Sequence, residues 1–200
     1  MKKSPMGKSK YPCPYCTASF STLERLRAHV VAEHANEPLA RPEGWINLTV
    51  NGQSYELKAE PNWTLYTVIH DKLGLTGVKM FCDRGACGSC TVIMNGRPIL
   101  SCMTLAIECD GARIETAEGT AAAGHPLIES YVKHHCMQCG YCTPGFVVTA
   151  KALLDRNPDP SEEEIREALA GNLCRCGTYP QHPKAVLEAA EELKSRQEVK

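Results

Sequence analysis

The sequence lacks any apolar run that approaches the roughly 20 residues of a membrane-spanning helix, so no membrane span is expected. It also lacks low-complexity tracts and internal repeats, and its formal net charge is only −1 with 43% hydrophobic residues. This composition excludes a wholly disordered or collagen-like chain. The basic residues 1–10 are not followed by the apolar stretch of a secretory signal. We therefore expect one to three small folded domains in the cytoplasm.

Cysteine, by contrast, is abundant, with twelve in 200 residues. The cytosol keeps thiols reduced, and these cysteines are spaced like metal ligands, so metal binding is favoured over disulfide formation. The number and spacing of the cysteines therefore predict a protein built around several metal sites.

The first set of ligands predicts a zinc finger over residues 1–36. Two residues separate its two cysteines, and its histidines follow after twelve and four more residues, which is the spacing of a two-cysteine, two-histidine zinc site. The predicted ligands, here called the finger quartet, are Cys13, Cys16, His29 and His34. Four protein ligands leave no open position, so the predicted Zn²⁺ is structural. The alternative is that no zinc binds here, and that the two cysteines are ordinary thiols and the two histidines are solvated helix residues.

Apolar residues around these ligands favour a ββα unit. Tyr11, Phe20 and Leu26 would supply its small core, and Ser21 with Glu24 would form a capping box at the start of its helix.

Sequence-specific DNA binding by this finger is not expected. The base-facing positions would be Thr22, Arg25 and Ala28, of which only Arg25 suits a bidentate guanine contact. A lone finger reads roughly 3 base pairs. Residues 1–36 carry a net charge of +4 and the rest −5, so this basic segment is either a solubilising tail or a surface for an acidic partner. For the finger we hypothesise a docking role toward a partner subunit or a maturation factor.

The rest of the chain divides at composition changes. Residues 37–44 contain two prolines and a glycine and are predicted to form a linker. Residues 45–119 contain two hairpin patterns around Asn-Gly turns, at 51–52 and 95–96. A short helix over 63–75 and a closing strand in 112–118 complete a small α+β domain.

Residues 120–200 show helical periodicity and are predicted to form a four-helix domain. The four segments are HPLIESYVKHH, PGFVVTAKALLDRN, SEEEIREALAGN and HPKAVLEAAEELKSR. Pro144 stands in a predicted first turn, Ser161 with Glu164 forms a capping box, and Gly171 follows a predicted helix end.

The loop FCDRGACGSC carries the second ligand set. Its three cysteines have four and two residues between them, and a fourth follows after eleven, which is the plant-type [2Fe–2S] spacing. This first quartet comprises Cys82, Cys87, Cys90 and Cys102. Gly85 and Gly88 allow the loop to fold back toward a compact cluster.

A second quartet lies in the helical segments CMQCGYCTPG and NLCRCGTYP, and comprises Cys139, Cys142, Cys174 and Cys176. Its two pairs can meet only if their helices pack together. Neither quartet has a histidine ligand or a vacant position, so both favour electron-transfer clusters. A four-cysteine zinc site is the alternative for either quartet.

Residues 45–195 resemble the small iron–sulfur subunit of the molybdenum hydroxylase family, which includes xanthine dehydrogenase, aldehyde oxidoreductase and carbon monoxide dehydrogenase. The segments GLTGVKMFCDRGACGSCTV, QCGYCTPGF and GNLCRCGTY carry the resemblance. It implies a β-grasp ferredoxin domain followed by a four-helix domain, each holding one [2Fe–2S] cluster. The zinc finger is an addition to the family pattern.

The resemblance also implies partners and roles. The second quartet would lie nearest a molybdopterin cofactor in a large partner subunit, with Gln138 and Cys176 approaching the pterin. Electrons would pass from molybdenum through both clusters to a FAD-binding medium subunit or an external carrier. The chain itself would supply no catalytic residue. A redox-responsive nucleic-acid-binding regulator and a free-standing ferredoxin are the alternatives; native partners would discriminate between them.

Two cysteines and five histidines fall outside these sets. For Cys136, buried packing is favoured over a place beside a cluster, and Cys109 has no assigned role. The unassigned histidines are expected at the surface or at helix caps; they are His70, His125, His134, His135 and His182.

Overall fold

The computed structural model describes residues 11–13, 15–34 and 44–198. The chain forms two compact units, divided between residues 43 and 44. The basic tail over residues 1–10 lies outside the described residues, as does the predicted linker apart from its last residue, Gly44.

The N-terminal unit has the predicted ββα order. Strands β1 (Tyr11–Pro12) and β2 (Ser19–Phe20) pair antiparallel and precede helix α1 (Leu23–Glu33). The predicted capping box is wrong by one residue, because the N-cap is Thr22, whose hydroxyl accepts the backbone N–H of Arg25. Ser and Thr both cap helices well, so two adjacent candidates leave the start of the helix ambiguous in sequence.

The second unit begins with a mixed sheet of five strands. The strands are β3 (Trp45–Val50), β4 (Gln53–Lys58), β5 (Thr91–Met94), β6 (Arg97–Leu100) and β7 (Arg113–Glu115), in the order β4-β3-β7-β5-β6. Strands β3 and β7 are parallel and the other pairs are antiparallel. Both predicted Asn-Gly hairpins are confirmed, because Asn and Gly in each turn adopt the positive φ that such two-residue turns require.

The helix predicted over 63–75 is present as a π-helix, Thr67–Lys72. The N–H of Leu73 donates to the carbonyl of Val68 at 2.9 Å. Val68 and Ile69 are fully buried and anchor the turn to the sheet. These β-branched residues have low α-helix propensity, which agrees with the short, widened helix.

Among the described residues, five helices follow the sheet: the four that were predicted and one short helix before them. They are α2 (Ala117–Ala122), α3 (Pro126–Lys133), α4 (Thr143–Arg156), α5 (Glu162–Leu169) and α6 (His182–Glu198). Helix α2 spans the boundary predicted between residues 119 and 120. Glycine lowers helix propensity, so Gly119 favoured a turn in sequence. In the structure this glycine packs against the side chain of Asn51, where a β-carbon would clash.

Two of the predicted helix ends are confirmed, and a third differs in conformation. Ser161 and Glu164 form a reciprocal capping box, and Pro144 lies in the first turn of α4. Gly171 follows the C-cap of α5 without the left-handed φ expected of a C′ glycine. No helix among the described residues is long and apolar enough to cross a bilayer.

Two hydrophobic clusters form the core of this unit. One is built from the sheet and the segments joined to it, with Leu48, Leu65 and Ile114 fully buried. The other lies among α3, α4, α5 and α6. A smaller contact joins them, because Val148 and Ala152 of α4 pack against Ile93 of β5. This contact packs the middle of α4 against the sheet.

Candidate metal centres

The finger quartet converges on one point. One ligand atom from each of Cys13, Cys16, His29 and His34 lies within 4.8 Å of the others. The thiol of Cys16 lies 3.4 Å from Nε2 of His29. Two thiolates and two imidazoles at this separation fit a tetrahedral Zn²⁺. The predicted base-facing residues are exposed, Thr22 at the N-cap of α1 and Arg25 and Ala28 on the helix.

The first quartet lies on the loop before β5 and at the end of β6. The Sγ atoms of Cys90 and Cys102 are 3.3 Å apart, and the thiols of Cys82 and Cys87 also contact each other. The loop folds back with positive φ at Gly85 and Gly88. The four thiols therefore form two close pairs, as two irons with two cysteine ligands each require.

Backbone N–H groups point at the first quartet. The N–H of Arg84 lowers the pKa of Cys82 to about 7, with help from the N–H of Ala86, which lies 3.3 Å from its Sγ. Burial, and then the neighbouring Cys90, raise the pKa of Cys102 to about 12. The loop thus stabilises the thiolate of Cys82, whereas Cys102 after β6 is buried, and a bound metal would hold both as thiolates.

The second quartet joins two loops of the helical region. Cys139 and Cys142 lie between α3 and α4, while Cys174 and Cys176 lie between α5 and α6. The thiols again form two pairs, Cys142 with Cys174 and Cys139 with Cys176. The structure thus places the two loops of this quartet beside each other, and the ligand set stays a prediction.

An unpaired buried hydroxyl supports a bound group beside the second quartet. The Tyr131 hydroxyl is fully buried and has no hydrogen-bond partner among the described residues. Burial raises its pKa well above the usual value, and Cys136 and Cys142 raise it further. Buried polar groups normally have a partner, so an acceptor such as a cluster sulfide fits this position.

The two quartets are linked directly through their loops. The N–H of Leu173, next to Cys174, donates to the carbonyl of Cys87 at 2.9 Å. The side-chain amide of Asn172 donates to the carbonyl of Gly88 at 3.0 Å. Gly145 of α4 lies so close that a β-carbon there would be 2.5 Å from the Gly88 carbonyl oxygen.

The second quartet also borders an exposed apolar groove. A cavity of about 830 Å³ is lined by Cys139, Cys142 and Cys174 together with aromatic and aliphatic side chains. The exposed apolar residues of this groove are Phe81, Tyr141, Leu173 and Tyr179. Gln138 is exposed at the same loop, and its amide donates to the carbonyl of Cys176 at 3.2 Å.

Both cysteines outside the three sets are buried. Cys136 belongs to the core cluster of the helices, and burial raises its pKa to about 11. Cys109 is buried under the sheet, and its pKa is also raised to about 11 by burial. The packing role favoured for Cys136 agrees with this position.

Two of the five unassigned histidines depart from the surface or cap position expected of them, because His70 is half-buried with its ring 2.7 Å from the Val78 carbonyl and His182 is fully buried. His125 caps α3, and His134 pairs with Glu188 at 2.6 Å. His182, expected at the surface or a cap, is instead buried and hydrogen-bonded to Thr178 behind Cys174. Its place at the start of a predicted helix gave no sign of this burial, because Phe146 of α4 and Tyr131 of α3 meet the ring only in the folded chain.

Two protein-family models match the second unit. The [2Fe-2S] binding domain matches residues 116–187, and the 2Fe-2S iron-sulfur cluster binding domain matches residues 50–129. Both models begin after the N-terminal finger.

The chain is similar to several iron–sulfur subunits. It is 48% identical over 148 residues to the nicotinate dehydrogenase small FeS subunit of Eubacterium barkeri, covering 73% of this chain and 94% of that protein. It is 38% identical over 181 residues to the aldehyde oxidoreductase iron-sulfur-binding subunit PaoA of Escherichia coli K12, covering 80% of this chain and 79% of that protein.

Solved structures agree with these relatives. A chain of quinoline 2-oxidoreductase from Pseudomonas putida 86 superimposes with a TM-score of 0.72 at 41% identity, over 76% of this chain and 96% of that chain. Aldehyde oxidoreductase from Desulfovibrio gigas gives a TM-score of 0.73 at 41% identity, over 76% of this chain and 17% of that chain. The chain therefore belongs to the family of small [2Fe–2S] iron–sulfur subunits of molybdenum-dependent dehydrogenases and hydroxylases.

Proposed function

We propose that this chain conducts single electrons between a molybdenum site in a larger partner subunit and an acceptor, through two [2Fe–2S] clusters held by the first and second quartets. When bound, such a cluster takes up and releases one electron at a time. Eight cysteines would hold the irons, and backbone N–H groups such as that of Ala86 beside Cys82 would stabilise the charge on the sulfurs. We assign it no catalytic residue of its own, so turnover of substrate is expected only in the assembled enzyme.

The observation that carries this proposal is the direct bond between the two quartet loops. The hydrogen bond from Leu173 to Cys87 connects the residue before one predicted ligand to another predicted ligand. The amide of Asn172 holds the same loops together at Gly88. A β-grasp domain and a helical domain that met elsewhere would leave the quartets apart. This junction supports a continuous route for electrons between the clusters.

We propose that the second quartet faces the molybdopterin subunit. Cys139 and Gln138 are exposed, and the neighbouring groove presents Phe81 with 77% of its surface exposed and Leu173 with 52%. A group of neighbouring exposed apolar side chains marks an interaction site. The first quartet would then pass electrons to a FAD-binding subunit or an external carrier.

We propose that the partner subunit with the molybdenum site, and not this chain, determines the substrate. The similar proteins carry names that refer to nicotinate, aldehyde and quinoline, so similarity in this chain does not single out one substrate. We therefore propose an organic substrate oxidised or reduced at molybdenum, without assigning it to one of these classes.

Replacing Gln138 by alanine tests the orientation toward the partner. We expect Gln138→Ala to keep both clusters, because the exposed amide contacts the carbonyl of Cys176 and not a cysteine sulfur. We expect the assembled enzyme to lose several-fold in activity, since the contact nearest the pterin is removed. Iron content and cluster spectra measure whether both clusters are retained, and steady-state activity measures the loss in turnover. Gln53→Ala, on the exposed start of β4, serves as the control. Unchanged activity of the Gln138 variant would contradict the proposed orientation.

We infer that the finger quartet binds one structural Zn²⁺ and that the finger docks on another protein. The convergence of its four ligand atoms within 4.8 Å supports the metal. Only Arg25, among the three exposed base-facing residues, suits a guanine contact, so DNA affinity would come from phosphate attraction and fall with salt.

Deleting residues 1–40 tests this role. We expect both cluster spectra to be unchanged, because the deletion removes no residue of the first or second quartet. We also expect complex formation or cofactor loading to weaken. Copurification with the partner subunits and cluster absorbance measure the two effects. Arg25→Ala in the full chain is the matched control and should leave docking intact. Sequence-selective DNA binding that persists at physiological salt and is lost on Arg25→Ala would restore the nucleic-acid-binding alternative.

A further inference from the structure

A buried polar pair lies directly behind Cys174. The hydroxyl oxygen of Thr178 is 3.1 Å from the Cys174 Sγ and 3.1 Å from Nε2 of His182. Thr178 is only 3% exposed and His182 only 1%. The three side chains thus form a short row that runs from the second quartet into the core of the helices.

The surroundings of His182 keep it neutral. Its ring stacks on Phe146 with ring centres 4.0 Å apart and an angle of 9° between the planes, and Tyr131 lies on another side with ring centres 5.4 Å away. Burial lowers the pKa of His182 to about 4. A neutral imidazole carries one N–H, so only one of its two nitrogens is a donor.

The direction of the hydrogen bonds follows from counting protons. A metal-bound thiolate has no proton and can only accept, and Thr178 has a single O–H to donate. If that O–H points to Cys174, the Thr178 oxygen must accept from Nε2–H of His182. If it points to His182, the imidazole proton lies on Nδ1, which has no partner among the described residues. A buried N–H without a partner is rare, so the first arrangement is favoured.

We propose that His182 is a positioning residue: its Nε2–H fixes the Thr178 hydroxyl on the Cys174 sulfur, and this hydrogen bond raises the reduction potential of the cluster held by the second quartet. The physical reason is that a reduced cluster carries one more negative charge, which a donor to a ligand sulfur stabilises. Hydrogen bonds to the sulfurs are among the factors that set such potentials. The inference rests on the proposed function, because it requires that this quartet holds a [2Fe–2S] cluster.

Thr178→Val tests the inference, because valine has the shape of threonine without its hydroxyl. In the full chain with both clusters loaded, we expect the reduction potential of the second-quartet cluster to fall and that of the other cluster to stay unchanged. A redox titration followed by electron paramagnetic resonance resolves the two clusters. Thr178→Ser should bring the potential back toward that of the original protein. Thr120→Val is the control, since this buried hydroxyl donates to the carbonyl of Thr116 and not to a cysteine.

His182→Phe separates the two directions of the hydrogen bonds. Phenylalanine keeps the stacking on Phe146 but removes the ring N–H. Under the proposal the potential falls by less than in Thr178→Val, because the hydroxyl remains but is no longer held in place. Under the reverse direction the potential rises, because the hydroxyl is released from His182 to the sulfur.

The results that would overturn this inference differ from the result that would refute the proposed function. A fully loaded Thr178→Val variant with an unchanged potential, or a rise in His182→Phe, would overturn the inference. If the valine variant does not assemble its cluster, the sign of the shift in His182→Phe decides alone. Absence of iron from the second quartet of the unmutated protein would instead refute the function on which the inference rests.

Discussion

Cys176→Ala is expected to lower the iron content from about four atoms per chain to about two, with an equal loss of acid-labile sulfide. The reason is that Cys176 pairs with Cys139 at the exposed side of the second quartet, and three thiolates do not complete the ligand set of a [2Fe–2S] cluster. The first quartet lies on a separate loop and should keep its cluster. Iron and sulfide analysis together with visible absorbance measure the loss.

Cys136→Ala is the matched control for this change. Cys136 lies three residues before Cys139 but is fully buried in the apolar core. Truncating it removes one sulfur from packing and should cost about 1 kcal/mol in stability, with the full iron content retained. Loss of iron from the Cys136 variant but not from the Cys176 variant would contradict the assignment of the second quartet.

Gly145→Ala is expected to destabilise the protein even though it replaces glycine with the best helix former. Gly145 lies in the first turn of α4, where alanine should gain up to about 1 kcal/mol in helix propensity. Its β-carbon, however, would meet the Gly88 carbonyl oxygen at 2.5 Å and the α-carbon of Ser89 at 3.1 Å. Both are backbone atoms that cannot rotate away, so the two quartet loops must separate, at a cost of about 1–3 kcal/mol.

Separating the two quartet loops should also weaken the electronic contact between the two clusters. The hydrogen bond between Leu173 and Cys87 depends on the same close approach, so we expect weaker magnetic coupling between the two reduced clusters in Gly145→Ala. A lower thermal midpoint and the change in the paramagnetic resonance spectrum measure the two effects. Gly171→Ala is the control, because its β-carbon would meet nothing within 4 Å and its φ is not left-handed. Equal stability of both variants would contradict the role given to the loop junction.

Local signals in the sequence predicted most of the elements. The two Asn-Gly turns determine the hairpins because their positive φ values suit these residues. Ser161 and Glu164 predicted the start of α5, since both halves of a capping box lie within four residues. The cysteine spacing grouped Cys82, Cys87 and Cys90 on one loop, because a loop of that length can fold back on itself; the second quartet needed two helices between its pairs to pack together.

Features that depend on tertiary packing could not be predicted in this way. The hydrogen bond from Asn172 to Gly88 joins residues 84 positions apart, and no local pattern indicates it. Helix α2 contains a glycine that is needed for contact with Asn51 and that weakens its helical signal. His182 is buried only after α6 packs on the other helices, so its sequence neighbours gave no sign of its contact with Thr178.

The metal content of the full chain, purified without oxygen, tests the central claim most directly. Two [2Fe–2S] clusters and one zinc finger predict about four iron atoms, about four acid-labile sulfides and about one zinc per chain. About two zinc and two iron atoms would contradict the account, because one of the two cysteine quartets would then be a zinc site without a role in electron transfer.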